Sequence, residues 1–164
     1  MNAAQEMLSK RDFRDILQIF NEENVQYMIV GGLAAILHGY MRLTKDIDLL
    51  VWPNPENAVR VMEALEKFGA PMHDISAADF EKEGTIFQIG IAPVRIDVLT
   101  AIDKVNFKEA YENVQISEIH GLKIPLISIP DLIRNKKAAG RGQDLVDVEH
   151  LEVILRRKSA KEKK

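Results

Sequence analysis

The chain has no cysteine. That removes disulfide scaffolds, thiolate zinc sites, iron–sulfur clusters and cysteine nucleophiles, and leaves chemistry to carboxylates, hydroxyls, histidine or bound ions. Long apolar runs are missing too: no stretch approaches the roughly 18–20 residues that a membrane-spanning helix needs. The polar segment from Met1 to Arg11 lacks the basic, apolar and small-residue sections of a signal peptide, so a cytoplasmic location with no membrane partner is the expectation. Histidine is sparse, and His38, His73, His120 and His150 share no ligand spacing, which argues against a histidine metal site. Internal repeats, low-complexity tracts and Gly/Ser linkers are absent as well. At 164 residues, 46% hydrophobic and 29% charged, the chain reads as one globular domain over residues 1–158, followed by a basic tail at 159–164.

The net charge of −3 hides an asymmetry. Arg156, Arg157, Lys158, Lys161, Lys163 and Lys164 stand against Glu162 alone at the C-terminal end, so the rest of the chain is more acidic than the total indicates. Such an end either attracts phosphates without reading sequence or is a solvated helix terminus whose cations offset the helix dipole; the second reading is the simpler.

Element signals alternate along the chain. Ser9 followed by Asp12 has the form of a capping box opening a helix, with Phe13, Ile16, Leu17 and Phe20 on its core face. Gln26 to Val30 is a short apolar strand ending in Gly31-Gly32, and Leu33 to His38 form a short helix closed by Gly39. Asp46 to Trp52 is a second strand, stopped by Pro53. Asn54-Pro55 then caps a helix that ends near Gly69. A short helix near Ser76 to Glu81 precedes an antiparallel pair, Thr85 to Ile91 and Val94 to Leu99, around Ala92-Pro93. A helix at Asn106 to Glu112 follows, and His120-Gly121 joins Val114–Ile119 to Leu122–Ile127 as a hairpin. Helices fill the remainder, from Ile129 to Ala139 and, after the Gly140-Arg141-Gly142 break, from Asp144 to about Lys158. The class is α/β or α+β, a mixed β-sheet flanked by helices.

Asp46-Ile47-Asp48 carries the chemical argument. On a strand both carboxylates point one way while Ile47, Leu49 and Val51 point into the core. Like charges held together call for a bound cation, a basic partner or a raised pKa. Asp97 sits in the middle of another apolar strand and completes a three-carboxylate cluster if that strand lies beside the first. Three hard oxygen donors suit Mg²⁺, which keeps several waters and shares its other positions with substrate phosphates. Ion pairs with Arg95, Lys45 or Arg42 are the bland alternative. Upstream, Gly31-Gly32 ends a strand and leaves backbone N–H groups free for a phosphate. A dinucleotide-binding reading fits poorly, because the third glycine is missing and both acids stand at the strand's beginning. No Gly-x-x-x-x-Gly-Lys-Ser/Thr occurs, which excludes a P-loop.

Gly31-Gly32, thirteen intervening residues, Asp46-Ile47-Asp48 and a later Asp97 resemble the signature of the nucleotidyltransferase superfamily related to DNA polymerase β. The fuller stretch from Tyr27 to Val51, with Gly39, Arg42 and Thr44, resembles the small branch that includes AbiEii toxin-like and minimal nucleotidyltransferases. The resemblance spans roughly Val25 to Leu155. It implies a nucleotidyltransferase-like fold in which Asp46, Asp48 and Asp97 hold two Mg²⁺ ions, or Mn²⁺ in their place. Gly31 and Gly32 would then hold the phosphates of a nucleoside triphosphate such as ATP, and a nucleoside monophosphate would move to an acceptor hydroxyl on a tRNA, a protein or a small molecule. A nucleotide-binding regulatory module or toxin–antitoxin component is the alternative, and monomer or homodimer is left open. The second residue of the glycine turn, often serine in the superfamily, is Gly32 here. Arg42 and Thr44 are expected to orient the turn before Asp46. Lys136, Arg141 and Asp144 recur in this branch near the C-terminus; Lys136 and Arg141 are expected at the triphosphate, with Asp144 orienting Arg141 or merely capping its helix. His38 is expected to be structural rather than a substrate contact.

Overall fold

The computed structural model describes residues 3–91 and 94–164. In chain order its elements are α1 (Ala3–Leu8), α2 (Arg11–Glu22), β1 (Tyr27–Val30), α3 (Gly31–Leu37), β2 (Asp46–Val51), α4 (Pro55–Phe68), α5 (Ala77–Phe80), β3 (Ile86–Ile91), β4 (Val94–Leu99), α6 (Phe107–Glu112), β5 (Gln115–Ile119), β6 (Leu122–Leu126), α7 (Ile129–Ala139) and α8 (Gly142–Glu162). The strands form one six-stranded sheet in the order β3-β4-β2-β1-β6-β5. Hairpins β3–β4 and β5–β6 make its two edges, β1 is antiparallel to β2, and the β1–β6 and β2–β4 pairs are parallel. This is the mixed sheet flanked by helices that the element pattern implies.

All four residues of β1 are buried, as a strand between two others requires. In β2, Ile47, Leu49 and Val51 are fully buried on one face; Leu50 is buried on the other, where α3 packs over the strand. The core face of α2 is Phe13, Ile16, Leu17 and Phe20. The Asn54 side chain accepts from Asn57 N at 2.9 Å with Pro55 behind it, so α4 starts where its sequence says. His120 and Gly121 both have positive φ, 51° and 79°, the pair that a two-residue type I′ hairpin needs. The expected turn at Ala92-Pro93 lies outside the described residues.

Several boundaries move by a residue or two, α3 beginning at Gly31 rather than Leu33 and α8 at Gly142 rather than Asp144, and two further departures have an evident cause. The Ser9–Asp12 capping box does not form: Ser9 Oγ donates back to the Glu6 carbonyl at 2.6 Å, and Lys10 takes the N-cap position of α2 without a side-chain bond. A local acceptor at the end of α1 outcompetes the cap. The last helix runs to Glu162 rather than Lys158, since nothing between Lys158 and Glu162 breaks it, and its residues from Arg156 onward are exposed. The basic end is thus the solvated terminus of α8. Among the described residues no helix is long and apolar enough to cross a membrane.

Candidate active site

The parallel register of β2 and β4 sets Asp46 opposite Arg95 and Asp48 opposite Asp97, joining residues far apart in the chain on one face. Burial, and behind it the negative charges of Asp97 and Asp46 and the close approach of the Asp97 carboxyl, push Asp48 up to about 7, while Arg95 pulls the other way. Arg95 reaches across the cluster. Its Nη2 donates to Asp46 Oδ2 at 3.1 Å and to Asp97 Oδ2 at 3.2 Å. Its Nε lies 3.1 Å from Asp97 Oδ1, close enough for attraction, yet that buried oxygen receives no hydrogen bond from the described residues.

The donor set fits a divalent cation: three hard carboxylates, one with an orphaned buried oxygen and one forced toward its neutral form by burial and by its neighbours' charge. A preformed cage is not what the side chains make, however. Among the described residues no three His, Asp or Glu side chains converge as a metal site, because the Arg95 guanidinium stands between Asp46 and Asp97 where an ion would otherwise supply the positive charge. Arg95 is 38% exposed in its side chain and has solvent to turn into.

Gly31 ends β1 at φ +69°, which lets α3 begin at once and brings the turn under the carboxylates. A Cβ at Gly31 would lie 2.1 Å from Asp48 Oδ2. One at Gly32 would lie 2.9 Å from Thr44 Oγ1. The loop before β2 thereby folds back on the turn, carrying Arg42 and Thr44 with it.

The basic side is an ion network. Lys136 is 4% exposed and donates from Nζ to Asp147 Oδ2 at 2.6 Å, with Asp144 Oδ1 at 3.6 Å. Arg42 Nη1 donates to the same Asp147 oxygen at 2.5 Å and Gln143 Nε2 to the other at 2.8 Å. Asp144, at the third position of α8, accepts from the backbone N–H of Arg141 and from its Nε at 3.2 and 2.7 Å, so it both satisfies an open N–H at the helix start and orients the guanidinium. Burial works against the Asp144 carboxylate, but Arg141's hydrogen bond and charge, with Lys136, hold it below the usual range. The Arg141 side chain is itself 80% exposed.

All ten residues singled out in the sequence, Gly31, Gly32, Arg42, Thr44, Asp46, Asp48, Asp97, Lys136, Arg141 and Asp144, line a single cleft of about 650 Å³. Asp147, wholly buried, escaped the sequence reading; the signal was its position one turn beyond Asp144 on the same helix face. His38 stands apart, 4% exposed, its Nε2 2.6 Å from the Ile127 carbonyl oxygen.

Comparison with known proteins meets this geometry. Residues 10–158 match the model of a family described as nucleotidyltransferase of unknown function, DUF6036. The chain belongs to that family. No curated protein matches it. Among solved structures, the lincosamide antibiotic adenylyltransferase LnuA, lincomycin-bound, superposes with a TM-score of 0.58 at 18% identity, covering 88% of this chain and 97% of its own. An antigenic nucleotidyltransferase-like protein from Paracoccidioides brasiliensis gives 0.57 at 20% identity, over 91% of this chain and 75% of its own. ANT(2'')-Ia in complex with adenylyl-2''-tobramycin gives 0.53 at 19%, over 90% and 95%. At these identities the likeness is one of fold; the family match makes this a nucleotidyltransferase family member across nearly its whole length.

Proposed function

We propose that the protein moves a nucleoside monophosphate from a nucleoside triphosphate to an acceptor hydroxyl, with Asp46, Asp48 and Asp97 holding two Mg²⁺ ions, or Mn²⁺ in their place. The observation that carries this reading is the register of β2 and β4, which faces Asp48 with Asp97 directly above the Gly31 turn. When bound, the metal neutralises charge on the transferring phosphoryl group and on the leaving pyrophosphate. The chain's own part is positioning and proton transfer. The Gly31-Gly32 turn holds the phosphates, Arg42 and Thr44 fix that turn, and Lys136 and Arg141 face the triphosphate with Asp144 orienting Arg141. The acceptor oxygen bonds to the α-phosphorus as the bond to the bridging oxygen breaks; pyrophosphate leaves with that electron pair, and the hydroxyl proton passes to Asp97.

Of the three acceptor classes, a small molecule is the one we favour. The cleft lining includes Ile86, Leu99, Ala101 and Ile102, apolar surface of the kind that takes up the body of a small ligand. Two of the structural neighbours are also named for antibiotics. Incubating the protein with each α-labelled nucleoside triphosphate, Mg²⁺ and, separately, an aminoglycoside and lincosamide panel, tRNA and a protein lysate tests the reading. Label should reach a small molecule and the transfer should vanish in Asp48→Ala; a wild-type protein that labels nothing refutes it.

A further inference from the structure

Gly32 occupies the first turn of α3 with a backbone that any L-residue adopts, unlike Gly31 beside it. Alanine would make a better helix there. What keeps a side chain out is space: a Cβ at position 32 would stand 2.9 Å from Thr44 Oγ1, 3.1 Å from Thr44 Cβ and 3.5 Å from Arg42 Nη1. The volume beside the turn has been given to the side chain of Thr44. That side chain is half-buried and lines the cleft. Among the described residues its hydroxyl makes no hydrogen bond, although a hydroxyl offers one donor and two acceptor positions. The nearest cation, Arg42, whose Nη1 borders the same space, is engaged by Asp147 rather than by Thr44. Thr44 thus presents a free donor against the bare backbone of the phosphate turn.

We infer that the Thr44 hydroxyl is a direct ligand of the nucleotide, donating a hydrogen bond to a non-bridging phosphate oxygen from the volume that a side chain at position 32 would otherwise fill. This rests on the nucleotide-transfer reading and makes Thr44 a binding residue as well as a support for the turn. Gly32 is then a space-making residue whose role is to admit that hydroxyl.

The test is calorimetric titration of wild type, Thr44→Val, Thr44→Ser and Gly32→Ala with Mg·ATP and the other Mg·nucleoside triphosphates, alongside transfer kinetics and thermal melting. Valine keeps the shape of threonine and loses only the hydroxyl. Thr44→Val should weaken nucleotide binding about tenfold to a hundredfold, the loss expected of one hydrogen bond to a charged oxygen. KM should move more than kcat, the melting temperature should hold, and Thr44→Ser should restore most of the affinity. Gly32→Ala, which drives the hydroxyl aside, should follow Thr44→Val. Binding by Thr44→Val equal to wild type overturns the inference while leaving nucleotide transfer standing, and so does a Thr44→Ser that falls as far as valine, since packing would then explain both. A wild-type protein that binds no nucleoside triphosphate overturns the transfer reading and this one with it.

Discussion

The carboxyl of Asp48 rests on the bare backbone of Gly31: a Cβ there would lie 2.1 Å from its Oδ2. The turn and the strand acid are therefore one unit. Gly31→Ala meets two obstacles, the left-handed backbone at φ +69°, which costs an L-residue about 1–2 kcal/mol, and the displaced carboxylate. We expect transfer to fall about a hundredfold or more, as small misplacements of reacting groups do, while thermal melting records only the modest backbone penalty. A variant that melts a few degrees lower yet transfers label at the wild-type rate would separate the glycine from the chemistry.

Asp97 faces Asp48 across the β2–β4 ladder and carries a buried oxygen that no hydrogen bond from the described residues reaches. Asp97→Asn preserves the shape and removes both the charge and the proton acceptor. Single-turnover label transfer should drop by about 10²–10⁴, the range for loss of a general base. Mg·nucleotide affinity, measured by calorimetry, should stay largely intact because Asp46 and Asp48 remain. Normal turnover in this variant would move the proton to another group.

Asp147 ties three segments together. Arg42 from the loop before β2, Lys136 from α7 and Gln143 from α8 all donate to its buried carboxylate. Asp147→Ala leaves Lys136 buried with only the 3.6 Å contact to Asp144, and removing one partner of a buried pair costs about 3–5 kcal/mol. Urea unfolding should show that loss, and the KM for nucleotide should rise as Arg42 and Lys136 lose their anchor. Stability within about 1 kcal/mol of wild type, the scale of an exposed pair, would mean that the network does not hold these segments.

Much of this arrangement is written in local sequence. The alternation through Asp46-Ile47-Asp48-Leu49 assigns the acids to one strand face, and Asn54-Pro55 and His120-Gly121 mark a helix start and a hairpin. What local pattern does not contain is register. Arg95 and Asp97 share a strand face by alternation, but that Arg95 also bridges Asp46 follows only once β4 lies parallel to β2. Asp147 is the clearest case. Its helix carries charge on most sides, so an acid there reads as solvated, and its burial depends on cations delivered from residues 42 and 136. At Ser9 the opposite happened: the local signal was present, and a nearer acceptor, the Glu6 carbonyl, took the hydroxyl.

His38 supplies a pH dependence separate from the cleft. Burial lowers it from 6.5 to about 4, with Lys158 adding repulsion and the hydrogen bond to Ile127 opposing both. Between those two values the unfolded chain binds a proton at this residue and the folded protein does not. Protonation thus favours unfolding, so His38 costs nothing above pH 6.5 and removes stability progressively as the pH falls toward 4, to a total of about 3 kcal/mol. His38→Gln keeps a donor for the Ile127 carbonyl and does not titrate. Urea unfolding from pH 7 to 4 should show wild-type stability falling more steeply than that of the variant, with the two curves diverging below pH 6.5. Parallel curves would mean that the imidazole is protonated in the folded protein, and that the Ile127 contact is made by the charged ring.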